Sequence, residues 1–319
     1  MEYIILIVSL AGIVFGADYL VAGSVTIARK FKVSDFVIGA AIVGIGTSMP
    51  EFVVSFIGAI NGNADVAIGN VVGSNIFNVL GILGLTAIFF PIAVNKDNMK
   101  FEIPLCIFVS ALLYVLVFNF FNGSVPTIGR LDGLVLLLMF GLFMGYSFYR
   151  DRKNQVNNAG AAETPVEDNS TLWLAVIKVI GGLAVLIVSC DFFVDNAVSI
   201  AKSFGVNDAF ISLTLIACGT SLPELAASIA AAVKKNTQLA LGNIVGSNIF
   251  NITLILGLSS QVMPLTSSGI TSTDYIVMTG AAAALLLFGF RGKISRFSGV
   301  LMTVSFVAYT WYLLSNQIS

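Results

Sequence analysis

Apolar residues fill the chain in ten long stretches, and short polar or charged turns separate them. Each stretch is close to the ~20 residues that an α-helix needs to cross the hydrocarbon core of a bilayer. The pattern therefore predicts an all-α membrane protein with ten transmembrane helices. The predicted spans cover residues 2–28, 36–62, 66–92, 100–121, 127–149, 172–200, 208–233, 239–264, 272–290 and 296–315.

The only long polar stretch lies between the fifth and sixth predicted spans, from Arg150 to Ser170. Its Asn, Ala, Glu, Asp and Pro residues are typical of a flexible linker. The sequence therefore predicts two five-helix halves, residues 1–149 and 172–319, joined by a cytoplasmic linker at residues 150–171.

The composition also indicates a membrane protein, because 57% of the 319 residues are hydrophobic and 10% are charged. Soluble domains carry about 25% charged residues. No basic patch is large enough to indicate a nucleic-acid partner. The chain has no His, and its Cys residues lie in apolar stretches without paired spacing. We therefore expect no zinc site, no disulfide framework and no cofactor.

The basic residues predict the orientation of the chain, because Lys and Arg are enriched in cytoplasmic loops. If the N-terminus is outside, all of them except Arg130 and Lys202 fall in inner loops or near the inner end of a span. The first residues are apolar but lack the basic start of a cleaved signal peptide. We expect a retained first helix, both termini outside, and residence in the cell (inner) membrane. The sequence leaves the oligomeric state open, and a monomer is compatible with it.

Polar residues interrupt the second and seventh spans at mid-depth. A carboxylate at the bilayer centre costs roughly 2.5–3.5 kcal/mol on insertion scales, and Pro and Gly free backbone carbonyls that cannot face lipid. The Ser-x-x-Glu pattern within each segment also predicts a capping box, but a cap does not explain why two helices begin inside the membrane. The segments are Gly44-Ile45-Gly46-Thr47-Ser48-Met49-Pro50-Glu51 and Ala217-Cys218-Gly219-Thr220-Ser221-Leu222-Pro223-Glu224.

The second half repeats the first at an offset of 173 residues, which places Glu51 on Glu224, and the offset becomes 166 residues at Ile128, which falls on Ile294. At the offset of 173 residues, residues 69–78 and 242–251 differ at a single position. Because each half has five predicted spans, an odd number, the second half enters the membrane upside down relative to the first. Inverted repeats with interrupted helices at matching positions are characteristic of secondary transporters.

Four predicted helices carry polar residues at mid-depth, and we predict that these broken helices, the second, third, seventh and eighth, form the core. Every candidate metal ligand among them offers oxygen, either from a side chain or from a carbonyl freed where a helix is interrupted. The candidate ligands are Glu51, Glu224, Thr47, Ser48, Thr220, Ser221, Ser74, Asn78, Ser247 and Asn251, with the backbone carbonyls of Gly44 and Ala217.

A set of oxygen ligands favours hard cations. Calcium accepts about six to eight oxygens in a loose geometry, whereas magnesium demands a tight octahedron and keeps its waters. Sodium resembles calcium in size, and two carboxylates neutralise either one calcium ion or two sodium ions. A site that either ion can fill, but not both together, gives exchange. The inverted repeats then supply two related conformations that open to opposite sides.

Several other polar residues allow two interpretations. Asn75 and Asn248 either cross-link helices or touch an ion. Asp18, Asp191 and Asp195 lie within the first and sixth spans, where they either line an ion path or pair locally near the water boundary.

The two repeated motifs resemble the alpha repeats of the cation/calcium antiporter superfamily, and they are most similar to its prokaryotic sodium/calcium exchangers. The resemblance implies one calcium site with neighbouring sodium sites at the candidate ligands. It also implies that helices one and six slide across the core to switch access. The motifs are Gly46-Thr47-Ser48-Met49-Pro50-Glu51 with Gly73-Ser74-Asn75-Ile76-Phe77-Asn78, and Gly219-Thr220-Ser221-Leu222-Pro223-Glu224 with Gly246-Ser247-Asn248-Ile249-Phe250-Asn251.

Two comparisons within that superfamily bear on the coupled ion. The potassium-dependent branch carries Asp where Asn251 stands, so potassium co-transport is not expected. The calcium/proton branch shows Gly-Asn-x-x-Glu where this chain has Gly-Thr-Ser-x-Pro-Glu, which favours sodium over protons. We predict a sodium/calcium antiporter in the lipid bilayer and not an enzyme. A calcium/proton antiporter and a calcium channel are the alternatives.

Overall fold

The computed structural model describes residues 2–118, 125–158, 171–203, 219–266 and 269–318. Within them, eight helices are long and apolar enough to cross a membrane, and a bent pair of helices makes a ninth candidate span. The helical membrane architecture predicted from the sequence is therefore confirmed. The arrangement of ten spans as inverted repeats stays a prediction.

The helices follow the predicted spans closely, and four short strands lie in the loops between them. The helices are α1 (Glu2–Phe31), α2 (Asp35–Thr47), α3 (Met49–Ile60), α4 (Ala64–Phe89), α5 (Asn98–Phe118), α6 (Arg130–Asn158), α7 (Leu172–Ser203), α8 (Leu222–Val233), α9 (Thr237–Val262), α10 (Ser272–Gly289) and α11 (Arg296–Ile318). The strands are β1 (Ile92–Ala93), β2 (Thr127–Ile128), β3 (Leu265–Thr266) and β4 (Lys293–Ile294).

The predicted break in the second span is present, because α2 and α3 meet at Ser48 with a bend of 50°. In the seventh predicted span, residues 208–233, the structure describes the part from Gly219 onward, which contains α8. Ala217, one of the predicted ligands, lies outside the described residues.

Helices α4 and α9 run without a break, so the prediction that the third and eighth helices are broken is wrong. Each contains a π-helical segment instead, Phe77–Leu83 in α4 and Asn251–Ile255 in α9. Neither segment contains proline, and the backbone at Phe77 and Asn251 stays in the right-handed helical region. A π-helical turn widens a helix without ending it and is frequent at functional sites.

The centre of the molecule is formed by α4 and α9. In the most apolar 18-residue segment of each span, 78% of the α4 residues and 94% of the α9 residues are buried, against 17% to 39% in the other long spans. The outer helices expose large apolar side chains such as Phe15, Leu138 and Trp311. Such a distribution suits a bundle whose outer helices face lipid, because lipid tails are as apolar as these side chains.

The loops of the two halves are joined by matching strand pairs. β1 pairs with β4 and β2 pairs with β3, both antiparallel. Ile92 faces Ile294 in the first pair, and Ile128 faces Leu265 in the second. The offset that relates the two halves places β1 on β3, so each half contributes a similar strand to a pair with the other.

Helices α1 and α7 approach each other closely through glycine. A Cβ atom at Gly16 would lie 2.6 Å from the backbone nitrogen of Leu186, and one at Gly182 would lie 2.6 Å from that of Leu20. Small residues allow helix backbones to approach in this way. The two helices therefore pack as one close unit.

Helix α6 continues beyond the predicted fifth span to Asn158, so the first part of the predicted linker is helical. Arg150 there forms ion pairs with Asp97 at 2.5 Å and with Glu102 at 3.5 Å. These contacts hold the start of the extension against α5. Residues 159–170 of the linker lie outside the described residues.

Candidate cation site

Each half begins a helix inside the bundle at a Ser-x-Pro-Glu segment. Ser48 precedes α3 and Ser221 precedes α8, and a proline occupies the first turn of each helix. Proline suits the first turn of a new helix but lacks the amide that would continue the preceding one. Glu51 and Glu224 therefore lie in the first turn of their helices, where the helix dipole favours negative charge.

The predicted capping box is absent at both helix starts, so that prediction is wrong. Neither Ser48 nor Ser221 makes a side-chain hydrogen bond that caps its own helix. Ser48 Oγ donates to Oε1 of Glu224, and Ser221 Oγ donates to Oε1 of Glu51, each at 2.7 Å. Each serine thus holds the carboxylate of the other half.

Both glutamates are fully buried, with an exposed fraction of 0%. The second carboxylate oxygen of each, Oε2 of Glu51 and Oε2 of Glu224, has no hydrogen-bond partner among the described residues. Buried polar atoms are nearly always partnered, since an unpartnered one loses the stabilisation that water gave it. The two free oxygens therefore indicate a place for a ligand, and a pair of carboxylates suits a cation.

Among the other buried oxygens that lack a partner within the described ranges, four belong to predicted ligands. Ser74, Asn78 and Asn251 are at most 3% exposed. Together with the two free carboxylate oxygens, six uncommitted oxygens therefore belong to predicted ligands. The four atoms are Ser74 Oγ, Asn78 Oδ1, Thr220 Oγ1 and Asn251 Oδ1.

Neighbouring asparagines orient the amides of Asn78 and Asn251. Asn78 Nδ2 donates to Asn248 Oδ1 at 3.1 Å, and Asn251 Nδ2 donates to Asn75 Oδ1 at 3.2 Å. Because each amide nitrogen is held in this way, the Oδ1 atoms of Asn78 and Asn251 remain free. Asn75 and Asn248 also bond to each other's backbone, so they cross-link α4 and α9, which is one of their two predicted roles.

Asn70 and Asn243 hold the turns that carry the carboxylates. The sequence had predicted no role for either residue. Asn70 Nδ2 donates to the backbone oxygen of Glu51 at 3.1 Å, and Asn243 Nδ2 donates to that of Glu224 at 3.2 Å. Both asparagines occupy the second position of the repeated ten-residue motif, which is the signal that could have identified them. Each also donates to a serine of the same carboxylate-bearing helix, Ser55 or Ser228, at 2.9 Å.

Gly44 and Thr47, two predicted ligands of the first half, meet Ser247 of the second half where α2 contacts α9. The backbone oxygen of Gly44 accepts hydrogen bonds from Ser247 Oγ at 3.2 Å and from Thr47 Oγ1 at 3.4 Å. Thr47 Oγ1 also lies 3.2 Å from Asn243 Oδ1. The structure thus brings Gly44, Thr47 and Ser247 together, and their role as ion ligands stays a prediction.

A cavity of about 590 Å³ lies beside the two carboxylate-bearing turns. Asp191 and Asp195 of α7 line it together with Cys190, and its wall includes Pro50 and Thr220. We call it the Asp191 cavity. A water molecule occupies about 30 Å³ in the liquid, so the cavity has room for a hydrated ion.

The three aspartates of the first and sixth predicted spans have different environments. Asp191 and Asp195 line the cavity, whereas Asp18 forms an ion pair with Lys234 at 2.6 Å. Local pairing therefore describes Asp18, and the position of the other two is compatible with an ion path.

Comparison with known proteins places these features in one family. The family model for sodium/calcium exchanger protein matches residues 1–149 and 174–315. The chain is 38% identical to the putative antiporter CaxA of Alkalimonas amylolytica over 320 residues, which cover 98% of each chain. It is 33% identical to the sodium/calcium exchanger MaX1 of Methanosarcina acetivorans over 345 residues, which cover 97% of each.

A solved structure has the same fold. The sodium-calcium exchanger NCX_Mj, soaked with zero Na⁺ and Ca²⁺, matches with a TM-score of 0.84 and a sequence identity of 31%. The match covers 98% of both chains, so no large part of either fold lacks a counterpart.

Proposed function

Because the chain belongs to the sodium/calcium exchanger protein family, we propose that this multi-pass membrane protein exchanges Na⁺ for Ca²⁺ by alternating access. Sodium and calcium are its transported ions, and no cofactor takes part. We further propose that it resides in the cell (inner) membrane with both termini outside, as its basic residues suggest.

One observation carries the proposal for the ion site: two fully buried carboxylates, each held through one oxygen by a serine of the other half, keep their second oxygens uncommitted. We propose that a dehydrated cation binds between them at mid-depth. The proposed ligands are Thr47, Ser48, Glu51, Ser74, Asn78, Thr220, Ser221, Glu224, Ser247 and Asn251, with the carbonyls of Gly44 and Ala217.

Charge balance explains why such a site exchanges ions. Glu51 and Glu224 together carry two negative charges, which one Ca²⁺ or two Na⁺ neutralise. The empty pair would leave two like charges facing each other in a medium of low dielectric constant. The empty site is therefore unfavourable. One ion species leaves as the other binds, and this couples the movements of the two ions.

We propose ten transmembrane helices in two inverted repeats, residues 1–149 and 172–319, joined by residues 150–171. The matching strand pairs and the reciprocal serine–glutamate bonds support this arrangement, because a pseudo-twofold axis makes each contact between the halves occur twice. Transporters with inverted repeats use such an axis to form two conformations open to opposite sides.

The cavities beside α1 and α7 support opening on one side at a time. A second cavity of about 370 Å³, which we call the Asp18 cavity, is lined by Asp18, Leu222 and Ala226 among others. The repeat offset maps Asp18 onto Asp191. The described residues that line the Asp18 cavity include none of the proposed ligands, whereas the Asp191 cavity reaches Thr220. We propose that the unit of α1 and α7 slides to exchange which cavity reaches the ions.

Transport by the purified protein in sealed vesicles tests the proposal. Uptake of radioactive calcium should require sodium trapped inside the vesicles and should fall by at least about 100-fold in Glu51→Gln and in Glu224→Gln. Glu102→Gln is the matched control, since Glu102 is also buried but pairs with Arg150 and is not among the proposed ligands. It should retain uptake.

The same vesicles separate the alternatives. Uptake driven by a pH gradient and not by a sodium gradient would make protons the counter-ion. Uptake that trans calcium fails to accelerate would indicate a channel. Uptake at the parent level in either glutamine variant would refute the proposed site.

A further inference from the structure

We propose that the two cavities differ in charge, and that this difference gives the protein a higher apparent affinity for Ca²⁺ on the side of the Asp191 cavity than on the opposite side. The inference rests on the proposed function, and it concerns how cations reach the ligands and not the ligands themselves. It assigns a role to Asp191, Asp195, Asp18 and Lys234.

The Asp191 cavity carries two formal negative charges. Asp191 and Asp195 are one helical turn apart on α7, so their side chains share a face, and both line the cavity. No Lys or Arg is among the described residues that line it. The wall of this cavity also includes Thr220, whose buried Oγ1 has no partner in the described part of the chain. A cation that the two aspartates attract is therefore already next to a proposed ligand.

The Asp18 cavity lacks this charge, although the repeat relates the two. Asp18 is the counterpart of Asp191, but Lys234 Nζ lies 2.6 Å from its Oδ1 and donates to its backbone oxygen at 2.9 Å. The counterpart of Asp195 is Ala22. Lys234 thus neutralises the carboxylate of Asp18, and Ala22 provides no carboxylate at the position that corresponds to Asp195.

The repeat also identifies the residue that breaks the symmetry. At the offset that relates the halves, Lys234 corresponds to Asn61. The first half therefore offers no cation at the position from which Lys234 neutralises Asp18. In the predicted orientation the loop of Lys234 is cytoplasmic, so the negative cavity faces outside and the neutral one faces inside.

A negative cavity concentrates cations before they bind. The electrostatic energy of Ca²⁺ in a given potential is twice that of Na⁺, so the enrichment of Ca²⁺ is the square of the enrichment of Na⁺. A potential that raises local Na⁺ about threefold raises local Ca²⁺ about tenfold. The aspartates should therefore lower the KM for Ca²⁺ more than the KM for Na⁺, with little effect on the maximal rate.

The test is transport by the full-length protein in vesicles sorted by orientation, with the KM for Ca²⁺ measured from each side. The double variant Asp191→Asn with Asp195→Asn should raise the KM for Ca²⁺ about tenfold on the outer side, raise the KM for Na⁺ about threefold there, and leave the inner side unchanged. Lys234→Asn should lower the inner KM and leave the outer one unchanged.

Asp132→Asn is the matched control. Asp132 lies at the start of α6, where it accepts a hydrogen bond from the backbone of Gly129, and Asn can still accept that bond. The variant removes one carboxylate outside both cavities, so both KM values should stay at the parent level.

Ionic strength gives a second test that needs no variant. The Debye length falls from about 30 Å at 0.01 M salt to about 3 Å at 1 M. With an untransported salt, the outer KM of the parent protein should rise steeply over this range and the inner KM only slightly.

The inference is overturned if the parent shows equal salt dependence on both sides, or if the double aspartate variant changes both sides equally. A lower maximal rate at unchanged KM would also overturn it, because it would make the aspartates part of the transport step. A parent protein that shows no sodium-dependent calcium exchange would instead refute the proposed function.

Discussion

Asn75 and Asn248 hold each other across the centre of the molecule. The side-chain amide of Asn75 donates to the backbone oxygen of Asn248 at 3.1 Å, and that of Asn248 donates to the backbone oxygen of Asn75 at 3.2 Å. Both residues are buried, and their Oδ1 atoms accept from the amides of Asn251 and Asn78. The pair therefore joins the two central helices and orients the side chains of two proposed ligands, Asn78 and Asn251.

Replacing either member of this pair should affect stability and ion binding together. Asn75→Ala removes a donor to Asn248 and leaves the Asn251 amide without its acceptor, and a buried group left unpaired costs about 1–3 kcal/mol. We expect a lower apparent Tm in detergent and a higher KM for Ca²⁺. Asn196→Ala is the control, since within the described residues the Asn196 side chain donates to the backbone of its own helix, at Phe192. An unchanged KM with a lowered Tm would leave Asn75 a purely structural role.

The reciprocal serine–glutamate bonds predict equal effects from two distant substitutions. Ser48→Ala removes the donor to Glu224, and Ser221→Ala removes the donor to Glu51. A hydrogen bond to a charged group contributes about 1.5–3 kcal/mol, so each variant should raise the KM for Ca²⁺ roughly ten- to a hundredfold. Ser9→Ala, whose hydroxyl bonds to its own helix, should show no change. Strongly unequal effects would argue against a twofold arrangement of the site.

Asn251→Asp should make transport depend on pH. The Asn251 amide donates to Asn75 Oδ1 at 3.2 Å, and an ionised Asp would place two oxygens in repulsion there. A protonated Asp can donate, so the variant should behave like the parent at low pH and depart from it as the pH rises. Transport at pH values from about 6 to 9 tests this. By the repeat, Asn78→Asp should follow the same profile, and a flat profile in both would contradict the assigned hydrogen bonds.

The Asp191 cavity predicts that one cysteine is accessible from water. Cys190 is only 3% exposed but lines this cavity, whereas Cys106 is fully buried in the hydrophobic core and lines neither cavity. In a variant with Cys106 and Cys218 replaced by Ser, a small cationic thiol reagent should modify Cys190 and block transport. Further replacement of Cys190 by Ser should abolish the block. If Cys190 remains unmodified in the active protein, the cavity does not open to water as described.

Adjacent glycines in α7 test the close approach of α1 and α7. A Cβ at Gly182 would lie 2.6 Å from the backbone of Leu20, whereas one at Gly181 would have no atom within 4 Å. Overpacking typically costs about 1–3 kcal/mol. Gly182→Val should therefore lower the apparent Tm and the transport rate. Gly181→Val should lower the Tm and the rate by only a small fraction of the decrease seen with Gly182→Val. Similar losses in both would mean that helix propensity and not packing is responsible.

Hydropathy and the repeat predicted most of what positions the site. The span limits and the burial of Glu51 and Glu224 follow from the sequence, because a carboxylate retained inside a long apolar stretch needs a compensating environment. The roles of the paired asparagines could be predicted less directly from the sequence. Asn75 was expected either to cross-link helices or to touch an ion, and spacing alone could not decide between them.

Contacts between the halves could not be predicted from local patterns. Ser48 is three residues before Glu51, as in a capping box, but its hydroxyl bonds to Glu224 because the packing of the two halves places that carboxylate 2.7 Å away. The π-helical segments at Phe77–Leu83 and Asn251–Ile255 were missed for a related reason. The same apolar residues can form a π-helical turn or an α-helical turn, and the packing around the segment determines which one forms.

Because the serine of each half bonds to the glutamate of the other half, neither half is complete as a separate fragment. A fragment containing only residues 1–149 would hold Glu51 without Ser221, and would hold Ser48 without the carboxylate that it supports. Two identical copies of that fragment could restore both bonds only by associating with one copy inverted relative to the other. In the proposed inverted arrangement, joining the halves in one polypeptide fixes their opposite orientations at insertion, and it gives the proposed site its complete set of oxygens without relying on the encounter of separate subunits.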